Sequence, residues 1–322
     1  MAGTDFNVLG KNGLTISFEV PLSSLTTFQL GGSCPVLISC EAPQQLTDAV
    51  GFLIREKSPF ILIGGGSNIV VSDAGVEYPI IRYVSARPLI EREGNDVVVS
   101  ASTLLDDLAK FAADQGLEGV NYTSGIPGTV GGAIVGNAGA FGKQVGDVLK
   151  LVTLIDQRKG QIKKVLPETL EFTYRNSNLK QSGDFVVSAV FALRPGDRAN
   201  LHKERSEILT VRAEKHPNLS THPCAGSFFR NIEPTSQAGK RQATGWFLDQ
   251  AGGKSLQYGG AKIFEKHANI IVKSDGCRAQ DVYELSQLMA KLAKDKFDLD
   301  LVREVRFVGR FNGMPNGQAM IW

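Results

Sequence analysis

The chain has 322 residues, of which 42% are hydrophobic and 21% charged, and this length and balance allow two or three cooperating domains with buried cores. Its 35 basic and 33 acidic residues leave a net charge of +2, which argues against a nucleic-acid-binding protein because phosphate contacts need concentrated lysine and arginine. No apolar run approaches the roughly 18 residues that a membrane span needs, and residues 1–10 lack the basic and apolar regions of a signal peptide.

The N-terminal quarter of the chain predicts a β-α-β unit that includes a glycine loop. A short strand over residues 36–40 precedes a helix over 43–56, whose apolar positions recur at helical spacing. A compact apolar strand over 60–63 stops at the loop 64–68, and another strand follows near 79–83. A glycine loop that leaves a strand in this way is typical of phosphate-binding sites.

The middle of the chain predicts a second group of strands with a helix near its start. Residues 96–100 read as a strand, after which Thr103 and Asp106 fit a capping box for the helix that follows. Further strands are predicted near residues 148–156, 161–165 and 185–193.

The last third of the chain combines helical and glycine-rich segments. Residues 201–215 are helical and charged, and they predict a link to a separate unit. A late helix around 282–292 carries one apolar stripe, which predicts packing on a sheet, and residues 299–308 alternate like a strand. Mixed strands and helices without strict βαβ alternation predict an α+β fold.

The glycine loop Gly64–Asn68 is a candidate anion site. Consecutive glycines let backbone N–H groups converge on one point, and the side chains of Ser67 and Asn68 add donors. The alternative is an ordinary glycine-rich turn, and the loop alone does not decide between the two. A dinucleotide-binding fingerprint is excluded, because its third glycine would have to stand at Ile69.

A longer glycine-rich segment, Ser124–Gly142, is a candidate cofactor wall. Pro127 suits the first turn of a helix, and the small residues after it let a large flat ligand approach the backbone. Apolar residues are threaded among the glycines, whereas a flexible linker carries serine and other polar residues. We therefore interpret the segment as a rigid wall rather than as a mobile loop.

Three single positions carry candidate chemistry. Arg175, in Tyr-Arg-Asn-Ser, suits bidentate binding of a carboxylate, although a surface arginine at a strand end is the alternative. Ser227, between a glycine and two phenylalanines, is either a proton donor in a dry site or the start of a buried strand. Glu304 alternates with apolar residues, so it is either an outward-facing polar residue or a buried acid.

Other chemistries are not supported by the sequence. No G-x-S-x-G motif surrounds a serine at these positions, which argues against a hydrolase. Residues 249–255 resemble a P-loop, but Leu248 stands where the leading glycine is required. The four cysteines form no CxxC pair and the four histidines have no metal spacing, so we predict no metal site. Scattered cysteines are typical of reduced thiols in a cytosolic protein.

The order and spacing of these motifs resemble one enzyme family along nearly the whole chain. The matching segments are Thr26–Phe28, Gly31–Gly32, Gly64–Asn68, Ser124–Gly142, Tyr174–Arg175, Gly226–Asn231, Trp246–Gly252, Gly259–Ala261 and Glu304 within Arg-Glu-Val-Arg-Phe. The sequence resembles the UDP-N-acetylenolpyruvoylglucosamine reductases.

The resemblance implies an α+β architecture of the vanillyl-alcohol-oxidase (PCMH) type, in which two lobes bind FAD and a smaller α+β domain binds substrate. We place the lobes at residues 1–85 and 86–200, and the substrate domain at 201–298. Residues 299–322 are then a strand that returns to the active site, followed by a tail.

The resemblance also implies two half-reactions with non-covalently bound FAD. NADPH reduces the flavin, which then reduces the enolpyruvyl double bond of UDP-N-acetylglucosamine enolpyruvate and yields UDP-N-acetylmuramate. Arg175 is implied to clamp the substrate carboxylate with help from Glu304, and Ser227 to protonate C2. The implied FAD contacts are Gly64, Gly65, Gly66, Ser67, Asn68, Ser124, Gly125, Ile126, Pro127, Gly128, Gly131, Gly132, Gly136, Asn137, Ala138 and Gly139. The implied substrate contacts are Tyr174, Asn231, Lys254 and Lys262, with the lysines directed at the diphosphate.

The sequence departs from the family pattern in three places. It resembles the shorter branch, which lacks a Tyr-bearing insertion after the catalytic arginine, so the group that closes over the diphosphate is left open. Residues 232–242 look like a small polar insertion. The tail over residues 312–322 matches no pattern, and it is predicted to be an exposed extension.

Two alternative functions remain open from the sequence. Another FAD enzyme of this fold, acting on a sugar or a hydroxy acid, would often attach its flavin through His or Cys, and neither glycine-rich segment contains a histidine. A nucleotide-binding module without catalysis is disfavoured by Arg175, Ser227 and Glu304 at family positions. We expect a cytoplasmic monomer that acts on a nucleotide sugar, with no nucleic-acid or membrane partner.

Overall fold

The computed structural model describes residues 5–10, 14–234 and 239–314. Residues 235–238 of the predicted polar insertion and residues 315–322 of the predicted tail lie outside the described residues. Within the described ranges no helix combines the length and the hydrophobicity needed to cross a bilayer. In the described part of the chain the larger sheets have four, five and three strands, and three two-stranded pairings lie beside them in the topology.

The first sheet is built from the N-terminal quarter of the chain, with strand order β1-β2-β5-β3. Its elements, with the separate strand β4, are α1 Asn7–Gly10, β1 Thr15–Pro21, β2 Ser33–Cys40, α2 Pro43–Arg55, β3 Ile61–Ile63, β4 Ile69–Val71 and β5 Ile80–Tyr83. Strands β2, β5 and β3 are parallel, which confirms the predicted β-α-β unit. Leu46, Val50 and Leu53 of α2 are fully buried in one core with Ile38 of β2, since apolar residues at helical spacing share one face.

The second sheet is antiparallel throughout, with strand order β12-β11-β13-β7-β6. The strands of this part of the chain are β6 Ile90–Glu93, β7 Asp96–Ser100, β8 Leu117–Glu118, β9 Gly139–Ala140, β10 Lys143–Gln144, β11 Leu149–Ile155, β12 Ile162–Val165, β13 Phe185–Ala192 and β14 Arg194–Pro195. The helices are α3 Leu105–Asp114, α4 Val130–Gly136, α5 Leu179–Ser182 and α6 Arg198–Lys215. The strands predicted near 96–100, 148–156, 161–165 and 185–193 are confirmed.

Helix α3 begins without the predicted capping box. Its N-cap residue is Leu104, and no side chain caps it, so the prediction for Thr103 and Asp106 is wrong. The carboxylate of Asp106 instead accepts two hydrogen bonds from Arg205 of α6, at 2.6 and 2.7 Å, and one from the backbone N–H of Gly125, at 2.7 Å. This tertiary ion pair ties α6 and the turn at Gly125 to α3.

The Asp106–Arg205 ion pair predicts a pH-dependent contribution to stability. Burial tends to raise the pKa of Asp106, but the donors from Arg205 and Gly125 outweigh it and hold that pKa below its usual value. A lowered folded-state pKa gives stabilisation that is present above the unfolded value of about 4 and is lost as the pH falls through the folded-state pKa. We expect Asp106→Asn to lower the free energy of unfolding at pH 7 by on the order of 1 kcal/mol, because the carboxyl is partly exposed.

Urea unfolding at pH 7 and at pH 3 checks this expectation. The difference in the free energy of unfolding between wild type and Asp106→Asn should be smaller at pH 3 than at pH 7. The neighbouring Asp107 provides the control, since burial and the charge of Asp106 raise the pKa of Asp107. Asp107→Asn should therefore not destabilise the fold at pH 7. An equal loss of unfolding free energy in Asp106→Asn and Asp107→Asn would contradict a stabilising role of the Asp106–Arg205 ion pair.

The third sheet has strand order β15-β16-β17 and is covered by a long helix. The elements of this region are α7 Thr244–Gln250, β15 Gln257–Tyr258, β16 Ala261–Phe264, β17 His267–Lys273, α8 Ala279–Phe297 and β18 Arg306–Val308. Val282, Leu285 and Met289 of α8 are fully buried in a core shared with Ile271 of β17. The predicted packing of the apolar stripe on a sheet is confirmed.

The last strand, β18, leaves this region and pairs in parallel with β4, with Arg306 opposite Ile69. The strand predicted over 299–308 is therefore limited to three residues, because β4 itself offers only three. Residues 299–305 form a connection in which Arg303 makes an isolated bridge to Phe229. The return of the chain brings Glu304 beside the glycine loop at residues 64–68.

Candidate functional site

Two adjoining cavities lie between the sheets and the returning chain. The larger has a volume of about 1110 Å³, at the upper end of small-molecule sites, and the smaller has about 360 Å³. The residues that line both cavities are Tyr174, Arg175, Ser227, Asn231 and Glu304. The structure thus brings all three predicted catalytic side chains to the junction of the two cavities.

The two glycine-rich segments meet and form one wall of the larger cavity. The Ser67 hydroxyl donates to the carbonyl of Pro127 at 3.0 Å. A Cβ atom added to Gly65 would lie 3.1 Å from the Cα of Gly128, and one added to Gly128 would lie 2.6 Å from the Ser67 hydroxyl oxygen. Gly128 also has a φ of +115°. The two backbones therefore approach at a distance that glycine permits and larger residues do not.

The predicted cofactor-binding residues line this larger cavity, with Ser124 as the exception. Ser124 is fully buried, and its hydroxyl donates to the carbonyl of Asn121 at 2.7 Å, so it supports the turn before Gly125. The exposed glycine backbone forms a cradle that side chains would fill, and it leaves room for a flat ring and N–H groups for a diphosphate. The residues present thus fit FAD.

Arg175 lies in a turn that is unusual for an arginine. Thr173 and Asn176 exchange two backbone hydrogen bonds of 3.1 Å, which makes Tyr174 and Arg175 the central pair of the turn. Arg175 has a φ of +55°, a conformation favoured by Gly or Asn and costing on the order of 1 to 2 kcal/mol for other residues. This turn directs the guanidinium toward Glu304, with the Arg175 Nε 3.0 Å from the Glu304 Oε1.

Glu304 is held at the junction through its backbone. Its N–H donates to the carbonyl of Phe228 at 2.9 Å, and its carbonyl accepts a bond from the side-chain amide of Asn68 at 3.2 Å. Burial raises the pKa of Glu304, although the neighbouring cations oppose this effect. The carboxyl therefore holds a proton more readily than an exposed glutamate does.

Ser227 is positioned by the two phenylalanines that follow it. Phe228 and Phe229 are buried, and their rings pack 5.8 Å apart. The buried Asn269 fixes both residues, because its backbone carbonyl accepts from Phe228 N–H at 2.8 Å and its side-chain oxygen accepts from Phe229 N–H at 3.0 Å. Ser227 itself bridges to Ile270. Asn269 is a supporting residue that no motif in the sequence indicated.

The predicted substrate-binding residues divide between the site and the surface. The Tyr174 hydroxyl accepts a bond from the Asn231 N–H at 3.4 Å, and both residues line both cavities. Lys254 lines the smaller cavity. Lys262 lies exposed on β16, opposite Val272, and lines neither cavity.

Several cationic and aromatic residues at the site were not among the predicted site residues. Lys266 and Trp246 line the smaller cavity, and Trp246 is 56% exposed there. Lys180 and Arg306 line the larger cavity. Burial and the charges of nearby arginines lower the pKa of Lys180 to about 8. The junction is therefore electropositive, as an anionic substrate requires.

Comparisons with known proteins match both parts of this site. A family model described as "UDP-N-acetylenolpyruvoylglucosamine reductase, C-terminal domain" matches residues 217–308, and one described as "FAD binding domain" matches residues 35–166. The UDP-N-acetylenolpyruvoylglucosamine reductase of Lactobacillus acidophilus is 33% identical over 304 residues, which cover 94% of this chain and 98% of the relative. The reductase of Carboxydothermus hydrogenoformans is 36% identical over 290 residues, which cover 90% of this chain and 92% of that relative.

A solved structure agrees with these sequence matches. The crystal structure of UDP-N-acetylenolpyruvylglucosamine reductase from Thermus caldophilus is similar with a TM-score of 0.74 at 30% identity, over 91% of this chain and 98% of that chain. The predicted α+β fold of the FAD-binding type is confirmed by this neighbour and by the FAD-binding match. Since the similarity at 33% identity spans nearly all of both sequences, the chain belongs to the UDP-N-acetylenolpyruvoylglucosamine reductase family.

Proposed function

We propose that this chain catalyses the NADPH-dependent reduction of UDP-N-acetylglucosamine enolpyruvate to UDP-N-acetylmuramate, a step of peptidoglycan precursor synthesis. The observation that carries the proposal is the placement of Arg175, Ser227 and Glu304 where a cavity that fits FAD adjoins a second cavity. When bound, FAD supplies the hydride that it has received from NADPH. The side chains of the protein bind, orient and protonate the substrate.

The roles of the three residues follow from where charge develops. Hydride addition at C3 of the enolpyruvyl group places negative charge on C2 and on its carboxylate, and that charge must be stabilised there. The guanidinium of Arg175 suits the carboxylate, and Glu304 holds it from 3.0 Å. Ser227 lies at the same junction and donates the proton that C2 requires.

The smaller cavity is proposed to receive the nucleotide part of the substrate. Lys254 and Lys266 line it and are assigned to the diphosphate, because lysine side chains suit the binding of phosphate groups. Lys262 is left out of this assignment, since it lines neither cavity. Tyr174 and Asn231 stand between this cavity and the reacting centre.

Anaerobic absorbance of the purified protein tests the proposed function. Addition of NADPH should bleach the flavin, and addition of UDP-N-acetylglucosamine enolpyruvate should then restore the oxidised spectrum. Bleaching without recovery would keep a flavoenzyme but reject this substrate, in favour of another FAD enzyme of the fold that acts on a sugar or a hydroxy acid. A colourless protein that takes up no FAD would refute the proposal.

Gly128→Ala is expected to reduce the FAD content of the purified protein severalfold. The new methyl group would meet the Ser67 hydroxyl at 2.6 Å, at a residue whose φ is +115°, so the two walls of the larger cavity would have to separate. The ratio of flavin to protein absorbance measures the effect. Gly51→Ala in helix α2 is the control, because its methyl group approaches nothing closer than 3.4 Å and alanine favours the helix. Equal FAD content in both variants would contradict the role of Gly128.

We also propose that the enzyme acts as a monomer in the cytoplasm. Residues of a single chain form both cavities, and all four cysteines are free, as in a reducing compartment. Light scattering coupled to size exclusion tests the first point. The domain boundaries at residues 85, 200 and 298 stay predictions from the sequence, and limited proteolysis tests them.

A further inference from the structure

Lys180 is a largely buried lysine at the site that the proposed reaction does not use. It lies on the short helix α5, and its Nζ donates to the backbone carbonyl of Arg175, five residues earlier, at 2.6 Å. Lys180 also lines the larger cavity. A buried ammonium group is costly unless it is bound, and the carbonyl of the arginine that we assign to the substrate carboxylate binds this one.

The turn at Arg175 explains why such a bond matters. The residue sits at a φ of +55°, and two backbone bonds between Thr173 and Asn176 close the turn. A strained backbone of this kind persists when surrounding contacts hold it, and it is found where function needs a particular direction of a side chain. The bond from Lys180 fixes the carbonyl of the strained residue itself, and the ion pair with Glu304 fixes its side chain.

The charges around Lys180 do not provide another reason for its position. The charges of Arg175, Arg230 and Arg306 disfavour the charged form of Lys180, whereas the charge of Glu304 favours it. A lysine kept among three arginines is retained for what its N–H groups bind rather than for the neutralisation of an acid. The carbonyl of Arg175 is the acceptor that the structure gives it.

We propose that Lys180 is a positioning residue, which holds the left-handed turn at Arg175 and so aims the guanidinium at Glu304 and at the substrate carboxylate. This inference rests on the proposed function. We assign this role to the half-reaction with substrate, in which the guanidinium of Arg175 is proposed to bind the substrate carboxylate.

The proposal predicts a distinctive pH dependence. Because burial and the three arginines lower the pKa of Lys180 to about 8, the ammonium loses its proton as the pH rises through that value. The charge-assisted bond to Arg175 then weakens, and the rate of flavin reoxidation by substrate should fall. Lys180→Arg keeps its charge over this range, so it should retain activity. The fall in its reoxidation rate at basic pH should move to a higher pH than in wild type.

Stopped-flow measurement of the two half-reactions tests the proposal with the FAD-loaded enzyme. Lys180→Met should bleach with NADPH as wild type does, and should be reoxidised by substrate about 10- to 100-fold more slowly, the cost of a displaced catalytic group. Lys164→Met, at an exposed lysine of β12, is the control and should match wild type. Retention of FAD and of NADPH bleaching shows that the variant is folded.

A double variant decides whether Lys180 acts through Arg175. In an Arg175→Ala background, Lys180→Met should change the reoxidation rate by less than about twofold, because the group that it positions is gone. The proposal would be overturned if the rate losses of the two single variants multiplied in the double variant. An unchanged reoxidation rate in Lys180→Met would also overturn it, as would a pH dependence of Lys180→Arg equal to that of wild type. Wild-type enzyme that the substrate fails to reoxidise would instead refute the proposed function.

Discussion

Ser227→Ala is expected to slow reoxidation of the flavin by substrate by about 10²- to 10⁴-fold, the usual contribution of a positioned proton donor. Reduction by NADPH should proceed at the wild-type rate, because that step moves a hydride and needs no proton from this hydroxyl. The substitution should leave the backbone in place, since Asn269 holds the residues after Ser227 through its own backbone and side chain. Single-turnover absorbance of each half-reaction gives both rates.

Two further variants make this test specific. Ser227→Cys keeps a weak S–H donor of similar shape, so its rate of flavin reoxidation by substrate should lie between those of wild type and Ser227→Ala. Ser255→Ala removes a hydroxyl that donates to the carbonyl of Gly252, at 2.8 Å, and lines neither cavity, so it should have no effect on either half-reaction. If Ser227→Ala left both half-reactions at wild-type rates, the proton would have to come from another group.

Arg175→Lys is expected to slow the same half-reaction by about 10²- to 10³-fold, comparable to the loss of one preorganised electrostatic contact. Lysine keeps the charge but lacks the planar fork that binds a carboxylate with two hydrogen bonds. It also loses the contact of the arginine Nε with Glu304, which is 3.0 Å long. The dissociation constant of the substrate should rise as well, because the carboxylate is bound before the reaction and during it.

The dependence of the reoxidation rate on substrate concentration separates the two effects of Arg175→Lys. The maximal rate reports stabilisation of the developing charge, and the half-saturating concentration reports binding. Arg158→Lys, in the hairpin between β11 and β12, is the control and should match wild type. A variant at Arg175 that altered binding alone would mean that the guanidinium anchors the substrate without polarising it.

The fold was predictable from the sequence where local pattern and tertiary structure agree. The β-α-β unit before Gly64 follows from apolar spacing, and the buried stripe on α8 follows from its periodicity. The capping box at Thr103 and Asp106 failed because a partner distant in sequence, Arg205, takes the carboxylate. A capping prediction uses only neighbouring residues, so it cannot include a partner that the fold brings close from a distant part of the sequence.

The site was predictable where its residues form dense motifs, and less so where single side chains act alone. Both glycine-rich segments and the junction residues stand at the cavities as predicted from their order along the chain. Lys262 and Lys266 are indistinguishable in sequence, but the pairing of β16 and β17 places Lys266 at the smaller cavity and Lys262 away from both cavities. Lys180 resembles a surface lysine until the turn at Arg175 is seen beside it.

The pairing of β18 with β4 sets an order of assembly for the enzyme during its synthesis. Asn68 and Glu304 are 236 positions apart, and a ribosome adding about 5 to 20 residues per second needs roughly 10 to 50 s to cover that distance. For that interval the emerging chain presents its glycine-rich cofactor wall without the acid that steadies Arg175. Reduction of the nucleotide sugar therefore awaits the arrival of the final strand.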